Sequence, residues 1–227
     1  RPQASETMRT SLPEETVAFL RDLDQNNTKE WFQANKKRYE TDMKRPSREF
    51  VDTVNTVLED ISPDHCTPAA KAISRINRDI RFAADKTPYN TRVWAAFHNT
   101  TRDKGAGAGF YVAVSPTGAG IGAGAWRPPK PHIDRLRAHI AANYADLDAI
   151  VASLADEFGP LQGEKYKRVP KPWAADHPGG ELLKHKGLFV AKELPIGVGT
   201  HPDFLDQIRA SFMRLAPLVA FLDAGLA

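Results

Sequence analysis

The chain of 227 residues is 41% hydrophobic and 26% charged, a balance typical of a globular protein that can bury a sizeable core. Its net charge of +3 at pH 7 is too small to predict nucleic-acid binding from charge alone. No apolar run approaches the roughly 18 residues that cross a bilayer, so we expect no membrane partner. The polar residues 1–10 and the single cysteine, Cys66, predict a cytoplasmic protein without an export signal or a disulfide framework.

The N-terminal third of the chain predicts helices. Pro13-Glu14-Glu15 combines a proline and two acids suited to a first helical turn, and apolar residues follow at helical spacing. Asn27 with Glu30 three residues later is typical of a helix cap, so a second helix is expected there. Pro46 should kink or restart that helix before its apolar stripe continues. Residues 62–70 predict a loop.

The middle third predicts an antiparallel sheet. Hydrophobic residues alternate with polar or small ones, and Ser115-Pro116-Thr117-Gly118 is typical of a type I turn between two strands. The predicted strands are Ala72–Phe82, Thr91–His98, Gly107–Ser115 and Gly118–Trp126.

The last third returns to helices, with one more strand. The patterns predict helices over about Pro131–Phe158, Asp176–Lys186 and His201–Leu222, and a strand over Gly187–Glu193. We therefore predict an α+β fold with a single antiparallel sheet of about five strands, flanked by N-terminal and C-terminal helices. In this prediction residues 11–227 form a single α+β domain and residues 1–10 form a flexible tail.

The turn at residues 115–118 sets the register of the predicted hairpin, in which the numbers of paired residues sum to 233. One face of the hairpin then carries only core residues. The opposite face places Tyr111 among glycines, with Trp126 at its end. Such a face predicts either a helix packed tightly against the sheet or a shallow ligand slot bounded by Tyr111 and Trp126.

The most informative stretch runs from Arg75 to Tyr89 and concentrates charged residues on one predicted strand and the turn after it. Charges so dense on a strand are unfavourable unless they pair with one another or meet a ligand. Arginine forks and a lysine ammonium together suit phosphate or carboxylate recognition. The candidate ligand-binding residues in this stretch are Arg75, Arg78, Asp79, Arg81, Asp85, Lys86 and Tyr89.

Two of these residues carry specific expectations. Arg78 interrupts the apolar face of the predicted strand and needs a carboxylate or carbonyl partner, because an unpaired buried guanidinium is unfavourable. Asp79 lies between Arg75 and Arg81, which should lower its pKa and make it an orienting group rather than a general acid. Anion binding is one interpretation of the cluster. A second is an ion-pair network that holds the strand against neighbouring helices, and a third is acid–base catalysis.

The spacing of these residues resembles that of a known family. The pattern Arg-x-x-Arg-Asp-x-Arg-Phe followed by Asp-Lys-x-x-Tyr is present at residues 75–82 and 85–89 without a departure. It is similar to the signature of a bacterial family of unknown function, found also within some longer fungal proteins. Further similarities, such as Lys29-Glu30-Trp31-Phe32 and Gly124-x-Trp126, extend the resemblance over nearly the whole chain from about Pro13. The family has no assigned activity, so the resemblance implies a shared pattern of charged residues and no particular reaction.

Two functions are consistent with these patterns. The first is binding, or processing, of a small anionic, phosphorylated ligand, with Arg78, Arg81 and Lys86 holding the anion and Tyr111 or Trp126 covering a flat part. The second is a non-enzymatic interaction module for a protein or, less favoured, a nucleic acid, in which the charged cluster is a structural network of salt bridges. We predict no metal site and no cofactor, and the sequence identifies neither a catalytic residue nor an oligomeric state.

Overall fold

The computed structural model describes residues 8–102 and 107–227. Within these ranges the α-helices are α1 (Glu14–Gln25), α2 (Lys29–Ala34), α3 (Lys36–Arg38), α4 (Arg45–Ile61), α5 (Ala69–Ala72), α6 (Lys130–Ala142), α7 (Tyr144–Phe158), α8 (Gly180–Leu183) and α9 (Phe204–Leu226). A π-helical turn, Tyr39–Lys44, joins α3 to α4, and short 3₁₀ turns lie at Pro63–His65 and Val198–Thr200.

The strands form one antiparallel sheet in which neighbours along the chain are also neighbours in space. The strands β1 (Val93–His98), β2 (Gly109–Ser115), β3 (Gly118–Ala125) and β4 (Leu188–Leu194) pair in the order β1-β2-β3-β4. The β2–β3 hairpin has the predicted register, with Gly109 opposite Gly124 and Ser115 opposite Gly118. The predicted fold class, α+β with a single antiparallel sheet and flanking helices, is confirmed.

One face of this sheet, the inner face, carries the hydrophobic core. Helix α9 packs under β2 and β3, where the rings of Phe212 and Phe110 lie 4.7 Å apart between centroids. Helices α4, α6 and α7 pack in turn against α9. The hairpin residues predicted to face the core are all buried, namely Phe110, Val112, Val114, Ala119, Ile121 and Ala123. Because apolar burial stabilises a fold by roughly 25 cal/mol per Å², this closed face anchors the sheet.

The N-terminal helices form where acids and caps favour them. Helix α1 has Glu14 and Glu15 in its first turn, where carboxylates complement the positive end of the helix dipole. The cap of α2 is Thr28, whose hydroxyl accepts from the Trp31 amide at 3.2 Å, and not Asn27 as predicted. This shift by one residue leaves the side chain of Asn27 available for a contact with the charged segment.

The predicted strand Ala72–Phe82 does not form, which leaves four strands where about five were predicted. In the described chain this stretch makes isolated bridges, from Ile73 to Ala95 and from Asn77 to Tyr89. Its charged side chains bond to groups a few residues away, Asp79 with Arg81 and Arg78 with Asp85 and Thr87, so the backbone turns back on itself instead of extending. Phe82, which the strand would have placed on the core face, is 96% exposed.

Two helix predictions also need correction. The predicted helix Pro131–Phe158 is divided into α6 and α7 at Asn143, whose side-chain amide donates to the His139 carbonyl at 2.9 Å and ends the first helix. The helix predicted over Asp176–Lys186 is reduced to α8. Proline and two glycines at residues 178–180 favour the turns that replace its first part.

Two further expectations concern the membrane and the N-terminal tail. None of the helices in residues 8–102 and 107–227 combines the length and apolar character that a bilayer crossing requires. The predicted tail falls mostly on residues 1–7, which lie outside the described residues. At the end of that predicted tail, the Thr10 carbonyl accepts from the Leu205 amide at 3.0 Å.

Candidate functional site

The outer face of the sheet, opposite the core, has a floor of aromatic rings. Tyr111 stands opposite Gly122 in the β2–β3 pair, and a Cβ atom on Gly122 would collide with Cζ and Oη of the tyrosine. The tyrosine ring, and not a packed helix, therefore occupies the space beside this glycine. Its hydroxyl donates to the Val190 carbonyl at 3.4 Å, and burial raises the pKa of Tyr111 to about 12.

Trp94 on β1 extends this floor and brings a cation with it. The Trp94 and Tyr111 rings stack with centroids 4.7 Å apart and planes 16° apart. Arg92, just before β1, has its guanidinium carbon 5.0 Å from the centre of the Trp94 ring, a cation–π contact. Arg92 is exposed and forms no salt bridge with a carboxylate in the described part of the chain. An available guanidinium therefore lies at one end of an aromatic stack.

Two open cavities border the Trp94–Tyr111 stack. One, of about 240 Å³, is also bordered by Arg92, Ser115 and Glu193. The other, of about 290 Å³, is mostly apolar. Besides the two stacked rings, its lining includes Ala96, His98, Trp126 and Phe189. Because ligand pockets for drug-sized molecules begin at roughly 300 Å³, each cavity suits a single small ring system.

Trp126 forms the far wall of the apolar cavity. Its side chain is 67% exposed, and its ring lies 4.6 Å from that of Phe189 on β4. The next residue, Arg127, lies 5.9 Å from the Trp126 ring and forms a salt bridge of 2.5 Å with Glu164. The cation at this end of the outer face is thus neutralised, in contrast to Arg92 at the other end.

A third opening, polar and of about 400 Å³, lies at the base of the charged segment. It is bordered by Arg78, Asp85 and Tyr89, together with Arg92 and Asp24. Since Arg92 also borders the 240 Å³ cavity, the charged segment and the aromatic floor meet at this residue.

Arg78 finds the partners that its position requires. Its guanidinium donates to the Asp85 carboxylate at 2.5 Å, to the Thr87 carbonyl at 3.1 Å and to the Thr87 hydroxyl. The Thr87 amide and hydroxyl also donate to Asp85, at 2.9 and 2.8 Å. These hydrogen bonds, from the Thr87 amide first and then from Arg78, lower the pKa of Asp85 to about 2. The three residues form a clasp that closes the segment on itself.

The remaining charged residues pair locally and lie in solvent. Arg81 donates two hydrogen bonds to Asp79, at 2.9 and 2.7 Å, which lower the pKa of the Asp79 carboxyl; the predicted contribution of Arg75 is wrong, because only Arg81 bonds to this carboxylate. Lys86 donates to the Ile80 carbonyl at 2.9 Å. None of these three side chains borders the polar opening. Arg75 is exposed, and its carbonyl accepts from the Asn90 side chain at 2.9 Å.

Tyr89 anchors the segment to the N-terminal helices. Its ring is buried and stacks on Phe32 of α2, with centroids 4.1 Å apart. Its amide donates to the Asn27 side-chain oxygen at 3.0 Å, while the Asn27 amide group donates to its carbonyl at 2.9 Å. The aromatic residue of the motif is thus fixed in place by both its ring and its backbone.

The structure brings the sequence-predicted residues together in two groups and adds residues that the sequence analysis missed. Arg78, Asp85 and Tyr89 meet at the polar opening, and Tyr111 and Trp126 border the apolar cavity. The missed residues are Arg92, Trp94, His98 and Phe189. Alternation along the predicted strand Thr91–His98 could have placed Trp94 on the same face as Tyr111, because its register with β2 brings them together.

Comparison with known proteins gives a family and no activity. In the described residues, no group of three or more His, Cys, Asp or Glu side chains is arranged to hold a metal ion. A search of curated proteins finds no match. A family model described as a conserved hypothetical protein (DUF2461) matches residues 15–221. Because this match covers most of the chain, the protein belongs to the DUF2461 family of conserved hypothetical proteins, whose function is unknown.

Proposed function

We propose that this protein binds a small anionic ligand on the outer face of its sheet. The observation that carries the proposal is the Trp94–Tyr111 stack, with an open cavity on either side and the available guanidinium of Arg92 at one end. Aromatic floors favour flat rings, and an arginine fork binds phosphate or carboxylate. The ligand class is therefore a flat ring system that bears one phosphate or carboxylate group.

The charged segment contributes to this site mainly through Arg78. Its guanidinium borders the polar opening that Arg92 shares, so a phosphate at Arg92 can be reached by both cations. Asp85 and Thr87 hold that guanidinium in place, which lowers the entropy lost when a ligand binds. Asp79 orients Arg81 in the same way but outside the opening. We place this binding in the cytoplasm, on the single cysteine, Cys66, which fits a reducing compartment.

Thermal unfolding with matched probes tests the proposal. Phenyl phosphate and adenosine monophosphate carry both a ring and an anion, whereas inorganic phosphate and phenol each carry one of the two. The probes with both parts should raise the melting temperature most, because a ligand at a hundred times its Kd adds about 2.7 kcal/mol to the free energy of unfolding. A ligand bound against Trp94 should also quench part of the protein's tryptophan fluorescence.

A pair of arginine variants separates the site from general charge effects. Arg92→Gln should reduce the advantage of phenyl phosphate over phenol, because the anion loses its contact with Arg92 and keeps only the one with Arg78. Arg209→Gln removes the same charge from α9, where Arg209 pairs with Asp60 on the helical side, and should leave binding unchanged. Stabilisation by none of the flat anions, or equal effects of the two variants, contradicts the proposed function.

The second candidate is the interaction module, and a specific observation favours it. Arg78 and Arg81 are each paired with an aspartate a few residues away, as expected if the charged cluster builds a structure instead of holding a ligand. In this case neither phosphate nor flat anions stabilise the protein. Arg78→Ala then lowers stability without changing the affinity for any small anion.

A further inference from the structure

The tip of the charged segment presents an apolar residue to solvent. We call residues 79–86 the Phe82 loop. Phe82 is 96% exposed at this tip and is followed by Ala83 and Ala84. The guanidinium of Arg81 lies 5.9 Å from the Phe82 ring, and Lys86 follows on the other side of the tip. Arg81 is paired with Asp79 at 2.7 Å, whereas Lys86 has no carboxylate partner in the described residues. A short apolar tip beside one unpaired cation is thus held outside the folded body.

Several contacts fix the loop in this conformation. The clasp of Arg78, Asp85 and Thr87 closes its base, and the Lys86 ammonium bonds to the Ile80 carbonyl across it. The isolated bridge between Asn77 and Tyr89 joins the segment that enters the loop to the segment that leaves it. A tip that is ordered before it meets a partner loses little conformational entropy on contact. The exposure of Phe82 is therefore a fixed feature of the loop.

The charge of the molecule is concentrated around the same loop. Residues 75–92 hold five cations and two anions, an excess of three that equals the net charge of the whole chain. Helix α3 beside α2 adds Lys36 and Lys37, whereas its Arg38 is paired with Asp22 and Asp42. The remainder of the chain is neutral in sum, so the segment that carries Phe82 holds an excess of positive charge that attracts a negatively charged partner.

We propose that the Phe82 loop docks this protein on the surface of an anionic lipid bilayer. The two alanines after Phe82 have no aromatic face with which to stack on a nucleic-acid base, but they and the ring enter an apolar medium together. Lys86, whose ammonium has no carboxylate partner in the described residues, then lies at the level of the lipid phosphates. A surface contact of this kind needs no membrane-spanning helix. The shortness of the apolar runs in the sequence argues only against such a helix, and not against a contact with the bilayer surface.

Vesicle binding of the full chain tests this inference. The probes are vesicles of phosphatidylcholine alone and of an equimolar mixture of phosphatidylcholine and phosphatidylglycerol, used at low and at high salt. We expect reversible binding to the anionic vesicles only, weaker than the roughly 10⁴ M⁻¹ of a single acyl chain, because one ring and two methyl groups bury less apolar area than such a chain. High salt should weaken the binding, because exposed charges are screened.

Three variants locate the contact. Phe82→Ala should weaken vesicle binding by about tenfold or more and leave the melting temperature unchanged, because the ring makes few contacts in the folded chain. Lys86→Gln should weaken it by about fivefold. Met213→Ala removes another exposed apolar side chain, on α9, and should have no effect.

Other outcomes overturn the inference. Absence of binding to anionic vesicles contradicts it, as does equal binding by wild type and Phe82→Ala. Tighter binding to a single-stranded oligonucleotide than to vesicles, lost in Phe82→Ala, would assign the loop to nucleic acid instead. The ligand site at Arg92 and Trp94 is not part of this contact, so its proposed function stands or falls separately.

Discussion

Gly120 and Gly122 lie on the same face of β3, but their surroundings differ. An added Cβ on Gly120 would have its nearest neighbours at 3.7 Å, the Lys192 carbonyl oxygen, and at 4.0 Å, the Ala113 Cβ, which is ordinary contact. The same atom on Gly122 would overlap the Tyr111 ring and the Val190 carbonyl oxygen. The aromatic floor of the outer face thus depends on one of the two glycines.

This difference gives a matched pair of variants. Gly122→Ala should lower the free energy of unfolding by about 1–3 kcal/mol, because the methyl group forces Tyr111 away from the backbone and disturbs its stack with Trp94. Gly120→Ala should be neutral or stabilising by up to about 1 kcal/mol, since alanine loses less backbone entropy on folding. Urea unfolding measures both changes, and near-ultraviolet circular dichroism reports the stack. Equal losses of stability in the two variants would mean that the strand backbone requires glycine at both positions, independently of the Tyr111 ring.

Tyr111 itself belongs to the floor of the site and not to its chemistry. With its pKa raised to about 12 by burial, the phenol stays protonated at neutral pH and cannot act as a general base. Its hydroxyl is directed to the Val190 carbonyl on β4. The residue therefore offers a ligand a neutral aromatic surface, in keeping with binding of the ring of a flat anion.

At the scale of elements, the charged segment is shaped by two aspartates. Asp79 accepts from the Arg81 amide at 3.3 Å and Asp85 from the Thr87 amide at 2.9 Å, so each bends the chain over the next two residues. The ends of the segment are joined by hydrogen bonds from Asn90 to Ile76 at 2.7 Å and from Arg78 to Pro88. The segment is accordingly a closed loop attached to the sheet and helices at its base.

Asn27 is the main attachment of this loop to the helices, and its neighbour provides a control. Asn27→Ala removes both hydrogen bonds to the Tyr89 backbone and should lower the free energy of unfolding by about 1–3 kcal/mol. Asn26→Ala removes an exposed bond to the Asp22 carbonyl within α1 and should change it by less than about 0.5 kcal/mol. Urea unfolding measures both, and hydrogen exchange should show faster exchange of residues 76–90 in the Asn27 variant. If Asn27→Ala lowers the free energy of unfolding as little as Asn26→Ala does, the ring of Tyr89 alone holds the loop to the helices.

The sequence predicts well where its signals are local. The Pro116 and Gly118 turn and the period-two alternation around it are enough for the hairpin register, which the structure confirms residue by residue. The lowered pKa of Asp79 was likewise predicted, although Arg81 alone, and not Arg75, bonds to its carboxylate. The predicted strand Ala72–Phe82 is wrong. Its alternation of apolar and charged residues fits a strand, but hydrogen bonds between side chains and backbone, from the Arg81 amide to Asp79 and from Arg78 to the Thr87 carbonyl, favour a loop.

The candidate site was harder to predict because its parts come from distant positions. Arg92 and Trp94 matter only through the pairing of β1 with β2, which brings Trp94 onto Tyr111. Phe189 joins them from β4, many residues further along the chain. No single motif contains these residues, so the sequence predicted the charged segment and a slot between Tyr111 and Trp126, but not Arg92, Trp94 or Phe189.

At the scale of the whole molecule, the two faces of the sheet have different tasks. The inner face is closed by α9, and its side chains are buried. On the outer face Trp94, Tyr111 and Phe189 remain partly exposed around open cavities. Because the stability comes from the inner face, the outer face is free to carry a ligand site with exposed aromatic residues, which stability alone does not favour.

Asp223 connects the distant parts of this closed inner layer. It is 8% exposed near the end of α9 and accepts from the Asn99 side chain at 2.6 Å and from the Ala108 amide at 2.7 Å. His65 Nε2 lies 3.3 Å from the same carboxylate, although poorly aligned for a hydrogen bond. Burial alone would raise the pKa of Asp223, but the contacts from His65, Asn99 and Ala108 outweigh it and lower the pKa. One carboxylate thus joins α9 to the start of β2 and to the turn after α4.

Asp223→Asn should lower the free energy of unfolding by about 2–3 kcal/mol at neutral pH, because its amide group would face the donor of Asn99 in a buried place. The gap between wild type and variant should also depend on pH. A carboxyl whose pKa is lower in the folded state stabilises the protein above its unfolded value of 3.8, and this contribution is lost as the pH falls below that value. Urea unfolding at pH 6 and pH 3 should therefore show a smaller gap at the lower pH, whereas Asp52→Asn, at an exposed position in the middle of α4 without a salt bridge in the described residues, should show none at either. If the difference in free energy of unfolding stays constant down to pH 3, Asp223 stabilises the layer through the geometry of its hydrogen bonds and not through its charge.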